Sequence, residues 1–262
     1  NGYKIFSGIW LIIFGYFKKV AIADAAAPYV DQVYGSPDTA GGAALLGATY
    51  LFALQIYGDF SGYSDIARGT ARLMGFELMV NFRQPYLAKN PSELWRRWHI
   101  SLSSFLRDYL YIPLGGNRRG EGRTYINLMA TMLLGGLWHG AAWTFVVWGG
   151  LHGTYLAVHR YFAGGKPGRR RVDLSLGQDI QEKLLNAGKI VLMFNLVCLT
   201  WIFFRADGLS DAVYITTNIF TDFMNGDMVN FSRFALFGAA ILALDLGQEG
   251  LKSDEPSPVF LP

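Results

Sequence analysis

This sequence has few charged residues for its length. Only 16% of its 262 residues are charged, whereas 52% are hydrophobic, and soluble domains carry about a quarter charged residues. The deficit indicates a membrane protein, although a soluble enzyme with a large core could reach the same apolar share. Aromatic residues, at 15%, suit helices whose ends lie among lipid headgroups, where Trp and Tyr keep a polar tip hydrated.

The sequence has almost no cysteine and lacks the usual chain start. The single cysteine, Cys198, lies in an apolar run, which excludes a disulfide framework and a thiol metal cluster. We interpret it as a small apolar side chain in a buried helix. The chain begins without an initiator Met or a signal-peptide pattern and ends abruptly at Pro262. We therefore expect residues 1–262 to be a single fragment of a larger membrane domain.

Familiar nucleotide and nucleophile motifs are absent. The sequence has no Walker loop, dinucleotide fingerprint or nucleophile elbow, so no cofactor-binding residue is assigned. The spacing of its four histidines matches no common zinc motif, and no metal site is predicted. The arginines between residues 83 and 123 could attract a polyanion or a donor's phosphates, but anchoring at the cytoplasmic surface explains most of them. No nucleic-acid partner is expected.

Five apolar stretches could form membrane helices, since a bilayer core requires about 20 apolar residues in a helix. They cover residues 3–23, 40–58, 126–158, 190–204 and 234–244. Lys18 and Lys19 are predicted to stop the first at the interface. As one helix, the 33 residues of the third would span about 50 Å, and basic clusters flank both of its ends. This pattern predicts a hairpin or re-entrant pair, with one long tilted helix as the alternative.

An amphipathic helix is predicted between the second and third stretches. Asn90, Pro91 and Glu93 form a helix-start pattern. Apolar residues then recur at helical spacing, namely Leu94, Trp95, Trp98, Leu102, Phe105, Leu106 and Tyr109. The helix is suited to the membrane interface or to the lining of a protein cavity. Further along the chain, residues 163–175 are predicted to be an exposed polar loop.

Two of the histidines are candidates for catalysis. His139 lies deep in the third apolar stretch, where ionisable groups usually face a bundle interior or an aqueous cavity. A neutral imidazole there could act as general base on a hydroxyl or could bond a backbone carbonyl in the core, and the residues leave both open. His99, at the border of the amphipathic face, could orient a substrate, but an interfacial role is favoured. His152 is expected near a helix end as a packing residue, and His159 at the interface.

Two carboxylates close the second apolar stretch. Asp59 and Asp65 are six residues apart, so they do not share one helix face cleanly. Gly58 and Gly62 permit a turn between them. The carboxylates could line a cavity, but the interpretation favoured by the residues alone is that both cap helix ends at the interface.

Six short blocks of sequence stand out between about residues 50 and 206. They are Tyr57–Ala67, Asn81–Tyr86, Leu94–Ser103, Arg107–Asn117, Gly135–Ala141 and Trp201–Ala206. Together and in this order, they resemble the membrane-bound O-acyltransferase family, in the bacterial branch typified by the alginate O-acetyltransferase membrane subunit. Any one block alone would be a weak signal.

The resemblance implies an all-α, polytopic transmembrane bundle with amphipathic or re-entrant helices around a central tunnel, and further helices before residue 1. It implies that His139 is the family's signature histidine and that His99 is a second essential position. Asp59, Asp65 and Asp108 belong to the matching blocks, but no step is assigned to them.

The same resemblance implies a multi-pass protein of the bacterial inner membrane that moves an acetyl group from a cytoplasmic thioester, acetyl-CoA, toward an exported polysaccharide such as alginate. The partners so implied are the lipid bilayer, the exported polysaccharide and periplasmic polysaccharide acetyltransferases. Two alternatives stay open: D-alanyl transfer to teichoic acid by a related branch, and a non-enzymatic export component whose histidines line a pore.

Overall fold

The computed structural model describes residues 2–163, 176–225 and 229–251, and these residues form helices and connecting loops without a β-strand. The α-helices in the described ranges are α1 Gly2–Tyr16, α2 Ala25–Tyr34, α3 Gly42–Leu73, α4 Pro91–Arg97, α5 Ile100–Leu106, α6 Glu121–His139, α7 Trp143–Phe162, α8 Leu176–Arg205, α9 Leu209–Thr221 and α10 Val229–Leu251. The all-α prediction is confirmed. Nearly all of the polar loop predicted over 163–175 lies outside the described residues.

The chain divides into two compact units. The first unit consists of Asn1–Gln84 with Arg205–Pro262, and the second of Pro85–Phe204. Among the described residues, two helices are long and apolar enough to cross a membrane by length and composition: Lys4–Tyr34 in the first unit, and Ile180–Arg205, which lies in the second unit except for its last residue. The first of these helices contains nearly all of the predicted stretch 3–23, and the second contains the predicted stretch 190–204.

The first helix of the first unit does not stop at its lysines. A π-helical segment, Phe17–Asp24, joins α1 to α2, so the helix does not end at Lys18 and Lys19, and their location at the membrane interface stays a prediction. Lys18 is buried, at 8% exposure, and its Nζ lies 2.6 Å from Oδ2 of Asp65. Because the charge is paired inside the unit, this lysine requires no contact with water, and the helix continues past it.

Helix α3 runs unbroken through the segment in which Gly58 and Gly62 would permit a turn. Gly62 and Gly69 instead allow α3 to pack closely against α1. A Cβ on Gly62 would lie 2.7 Å from the carbonyl oxygen of Gly15, and a Cβ on Gly69 would lie 2.5 Å from that of Gly8. The order of these contacts makes the two helices antiparallel. Since Asp59 and Asp65 lie inside α3, the helix-end caps predicted for them are also wrong.

Helices α9 and α10 complete the first unit by packing on α3. Helix α10 contains the predicted stretch 234–244. Its Asp245 accepts a buried hydrogen bond, 2.9 Å long, from the hydroxyl of Tyr57. The ring of Phe234 lies 5.0 Å from that of Tyr50. Aromatic packing and one paired carboxylate therefore hold the last described helix on the first unit's central helix.

The third apolar stretch forms a helical hairpin in the second unit. Helices α6 and α7 pack against each other. The turn of the hairpin lies between His139 and Trp143. A Cβ added to Gly149 would overlap the carbonyl oxygen of Met132, and one added to Gly136 would overlap that of Phe145. The small glycines let the two helix backbones come into contact. The hairpin prediction is confirmed, and the alternative of a single tilted helix is wrong.

The predicted amphipathic helix begins as expected but is not continuous. The side chain of Asn90 caps α4 by accepting from the backbone N–H of Glu93 at 2.9 Å, which confirms the start. The helix ends at Arg97, and α5 begins anew at Ile100. A single helix through residues 94–109 is therefore wrong, and His99 lies at the break.

Candidate active site

His139 is the last residue of α6 and lies at the tip of the hairpin. In the sequence, His139 lies in the middle of an apolar run. In the structure the chain reverses at Gly140, so the histidine lies at the end of a helix. The second unit therefore presents His139 at a junction between helices rather than along a helix flank. A side chain at such a junction is surrounded by several elements at once.

Four aromatic rings surround the imidazole, and we refer to them as the aromatic box. Their centroids lie 5.0 Å from that of His139 for Trp138, 6.2 Å for Phe145, 5.1 Å for Trp148 and 5.1 Å for Phe204. Three of the rings meet the imidazole edge-on, the arrangement that aromatic quadrupoles favour. The box draws on α6, α7 and α8, so the packing of three helices fixes the histidine.

The imidazole of His139 is half-buried and keeps its polar atoms uncommitted. In the part of the chain that the structure describes, no hydrogen bond involves either of its ring nitrogens. The bond to a backbone carbonyl expected of a core histidine is thus not made by any described residue. An oriented imidazole with open nitrogens can exchange a proton with a bound hydroxyl or thiol.

His99 has a left-handed backbone at the break between α4 and α5. Its φ is 44° and its ψ is 57°, a conformation that costs a residue with a Cβ about 1–2 kcal/mol. Neighbouring bonds hold the break: the hydroxyl of Ser103 donates to the carbonyl oxygen of Trp98 at 3.0 Å. Strain of this kind persists only where the surroundings fix it, and it is often found at functional sites.

The side chain of His99 is held neutral. Burial, with a smaller contribution from nearby His139, lowers the pKa of His99 to about 4. Near pH 7 this imidazole therefore carries no charge and can accept a hydrogen bond or a proton.

The rings of the two predicted site histidines both lie close to the ring of Trp138. The ring of Trp138 lies 6.4 Å from that of His99 and 5.0 Å from that of His139. One histidine comes from the α4–α5 break and the other from the end of α6, forty positions apart in the sequence. Nothing in the spacing predicts this meeting. Trp138 is 62% exposed, so the ring that joins the two histidines is accessible.

Sequence reasoning gave little weight to His152, which is the most buried histidine among the described residues. It lies in the middle of α7 rather than near a helix end, and it is 2% exposed. Its Nε2 lies 3.1 Å from the hydroxyl of Thr200. Phe204 of the aromatic box was likewise not singled out, although the aromatic run that ends there was a visible signal. His159, by contrast, is half-buried, with Nδ1 3.5 Å from the Ser92 hydroxyl.

The carboxylates of the matching blocks are engaged in ion pairs. In the first unit, Asp59 binds Lys19 at 2.6 Å and Asp65 binds Lys18. In the second, exposed Asp108 accepts from Nε of Arg107 at 2.7 Å, which lowers the pKa of this carboxyl. The described residues contain no group of three or more His, Cys, Asp or Glu side chains that could hold a metal ion.

Comparison with known proteins identifies the family to which the chain is similar. Residues 5–165 match the family described as MBOAT, membrane-bound O-acyltransferase family. A probable alginate O-acetylase AlgI of Azotobacter vinelandii is 45% identical over 86% of this chain and 42% of that protein. A peptidoglycan O-acetyltransferase of Helicobacter pylori is 40% identical over 82% of this chain and 39% of that protein.

More distant similarity extends to a different transfer reaction. A teichoic acid D-alanyltransferase of Streptococcus thermophilus is 30% identical over 61% of this chain and 40% of that protein. The chain spans about two fifths of the length of these three relatives.

Proposed function

The chain belongs to the membrane-bound O-acyltransferase family, and we propose that it carries the histidine site of a membrane O-acetyltransferase for an exported polysaccharide. The observation that carries the proposal is the half-buried imidazole of His139, held by the aromatic box with no hydrogen bond from the described residues. The relatives named alginate O-acetylase and peptidoglycan O-acetyltransferase support an exported polysaccharide as the final acceptor.

In the proposed reaction, His139 is the general base. A ring nitrogen takes the proton of the acceptor hydroxyl while the hydroxyl oxygen attacks the carbonyl carbon of an acetyl thioester. The carbon–sulfur bond then breaks, and the imidazolium returns the proton to the leaving thiolate. His99, neutral near pH 7 and on the same tryptophan, orients the reacting groups or shares the proton. Holding the reactants between two fixed imidazoles supplies proximity as well as proton transfer.

The family and the relatives' names support a proposal for the donor and the partners. Acetyl-CoA is the donor we propose, delivered from the cytoplasmic side of a multi-pass inner-membrane protein. The immediate acceptor could be a carrier or a periplasmic acetyltransferase that passes the acetyl group to the polysaccharide. The similarity to a teichoic acid D-alanyltransferase favours D-alanyl transfer as the second candidate, and that reaction would require an aminoacyl carrier protein as donor.

The test compares the full-length gene with its His139→Ala variant in cells that export the polysaccharide. With membrane levels matched, we expect the O-acetyl content to fall about 10²–10⁴-fold, the share that general base catalysis supplies, while the polymer is still exported. His159→Ala is the matched control, since this half-buried histidine of the same hairpin lies outside the aromatic box, and its O-acetyl content should stay near wild type.

Each other outcome has a defined meaning. Unchanged acetylation in His139→Ala would make this histidine structural and refute the mechanism. Loss of export instead of acetylation would favour the non-enzymatic export component. D-alanine esters that depend on His139, without acetyl esters, would favour the D-alanyl transferase.

A further inference from the structure

Gly140 directly follows the candidate base His139 and begins the turn between α6 and α7. Its φ of 166° and ψ of 156° describe extended backbone, which residues with a Cβ also adopt. Conformational freedom therefore does not explain a glycine at this position. The surroundings of the missing side chain explain it instead.

The ring of Phe145 occupies the space next to Gly140. A Cβ added to Gly140 would lie 2.6 Å from Cε2 of Phe145 and 2.9 Å from its Cδ2. Ordinary contacts begin at 3.4 Å, so the ring would have to retreat by about 0.8 Å. The cost of that retreat depends on how firmly the ring is held.

Phe145 is held by both its backbone and its ring. Its backbone N–H donates to the carbonyl oxygen of Ala142 at 3.1 Å, and its own carbonyl oxygen lies so close to Gly136 that a Cβ there would overlap it. Its ring packs edge-on against that of Phe204, with centroids 5.1 Å apart. Because these contacts fix the backbone of Phe145, a side chain at position 140 displaces the ring from its packed position.

The same ring is a wall of the aromatic box. The centroids of Phe145 and His139 are 6.2 Å apart, and Phe204, on which Phe145 packs, lies 5.1 Å from His139. Displacement of Phe145 therefore removes one wall directly and loosens a second through Phe204. Among the described residues, no hydrogen bond holds the imidazole of His139, so the packing of these rings sets its orientation.

We propose that Gly140 is a positioning residue for His139, because its missing side chain leaves the space in which Phe145 closes the aromatic box. This inference rests on the function proposed above, in which His139 is the general base. Gly140 acts through the ring of Phe145 and touches no reacting atom. Its substitution should therefore slow the chemical step and leave donor binding nearly unchanged.

The test uses the full-length protein in inverted membrane vesicles from cells that make the polysaccharide, with radiolabelled acetyl-CoA as the donor. The rate of acetyl ester formation gives kcat per copy of the protein and KM for acetyl-CoA. The variants are Gly140→Ala, Phe145→Leu, the two combined, and Gly150→Ala. The last is the matched control in α7, because a Cβ on Gly150 would meet Leu133 at an ordinary 3.7 Å.

A second measurement follows the aromatic box without reference to activity. Diethyl pyrocarbonate reacts with the ring nitrogen of an accessible imidazole, and mass spectrometry of peptides gives the rate of labelling at each histidine. The rate at His139 is compared with that at His159, which lies outside the box and serves as the internal reference.

Support requires Gly140→Ala to lower kcat about ten- to hundred-fold with KM little changed, since misplacement of a catalytic group by about 1 Å has a cost of that order. Labelling of His139 should become faster relative to His159. In the Phe145→Leu background, the same alanine should change kcat by no more than about twofold, because the displaced ring is gone, whereas independent sites would repeat the full loss. Gly150→Ala should resemble the wild type.

Two outcomes concern folding. If Gly140→Ala does not accumulate in the membrane, its recovery by Phe145→Leu is the supporting result, because the overlap with the ring is then the defect. Failure of both proteins that carry Gly140→Ala would show that the glycine serves the turn itself, and it would overturn the positioning role.

Other results overturn the proposal in separable ways. Wild-type kcat and labelling in Gly140→Ala would show that Phe145 needs no empty space at position 140. The full loss of kcat repeated in the Phe145→Leu background would show that the effect does not pass through the ring. A raised KM with unchanged kcat would assign the glycine to donor binding. Absence of acetyl transfer in the wild type would refute the proposed function alone, because the labelling tests the box without reference to activity.

Discussion

The two units differ in the partners of their titratable side chains, although each also contains buried neutral polar atoms without a partner among the described residues. In the first unit, the buried ammonium of Lys18 and the guanidinium of Arg68 both bind the carboxylate of Asp65. In the second, the ring nitrogens of His139 and Nε1 of Trp148 have no partner in the described part of the chain. Paired charges hold helices in a fixed arrangement, whereas open nitrogens can bind a ligand. On the function proposed above, the ion pairs of the first unit supply a rigid frame and the histidines of the second unit supply the chemistry.

The ion pairs of the first unit give the sharpest way to break this comparison. We expect Asp65→Asn to lower the free energy of unfolding by about 3–5 kcal/mol, since it removes the carboxylate that two buried cations share. Lys18→Met should cost less, because Asp65 still binds Arg68, at 3.3 Å. The measurement is unfolding of the full-length protein by denaturing detergent titrated into mild micelles.

A neighbouring pair provides the control for that experiment. Asp59 binds Lys19, but the two side chains are 52% and 40% exposed, and exposed ion pairs contribute only about 0–1 kcal/mol. Asp59→Asn should therefore be close to wild type. If Asp59→Asn and Asp65→Asn cost the same, burial does not decide the worth of these pairs, and the rigid character assigned to the first unit is wrong.

The glycine contacts between α1 and α3 predict a smaller effect. Gly62→Ala places a methyl group 2.7 Å from the carbonyl oxygen of Gly15, so the helices must separate at a cost of about 1–3 kcal/mol. Gly122→Ala is the matched control in α6, where a Cβ would meet no atom within 4 Å and alanine favours the helix by up to about 1 kcal/mol. The same detergent titration should separate the two in sign. A neutral Gly62→Ala would show that the backbones are not in contact.

Local signals predicted some of these features and not others. The cap at Asn90 and the hairpin of the third stretch followed from nearby residues: a capping pattern, and a length too great for one crossing. The Lys18–Asp65 pair joins residues forty-seven positions apart, and no local pattern specifies such a partner. Lysines after an apolar run suggest that a helix ends there, but Lys18 pairs with a buried acid, and the helix continues past it.

The site shows the same division. The resemblance nominated His139 and His99, but the box around His139 required the packing of three helices, and Phe204 lies sixty-five positions from the histidine that it contacts. The break at His99 was hidden because apolar residues keep helical spacing across it and no Gly or Pro marks it. Its cause is tertiary: Trp98 is buried and packs at a tilt against Trp201, with ring centroids 5.2 Å apart, and this anchors the chain on one side of the turn.

The backbone of His99 provides the last and smallest prediction, which separates the strain at the break from the chemistry of the side chain. At a φ of 44°, glycine adopts the backbone conformation without strain, whereas alanine is strained. We expect His99→Gly to be more stable than His99→Ala by about 1 kcal/mol. Both should lose acetyl transfer at matched membrane levels, since neither has an imidazole. Equal stability of the two variants would show that the left-handed turn is not kept. Wild-type transfer by His99→Gly would show that the second unit uses His99 only as a hinge, leaving His139 as the sole reacting imidazole.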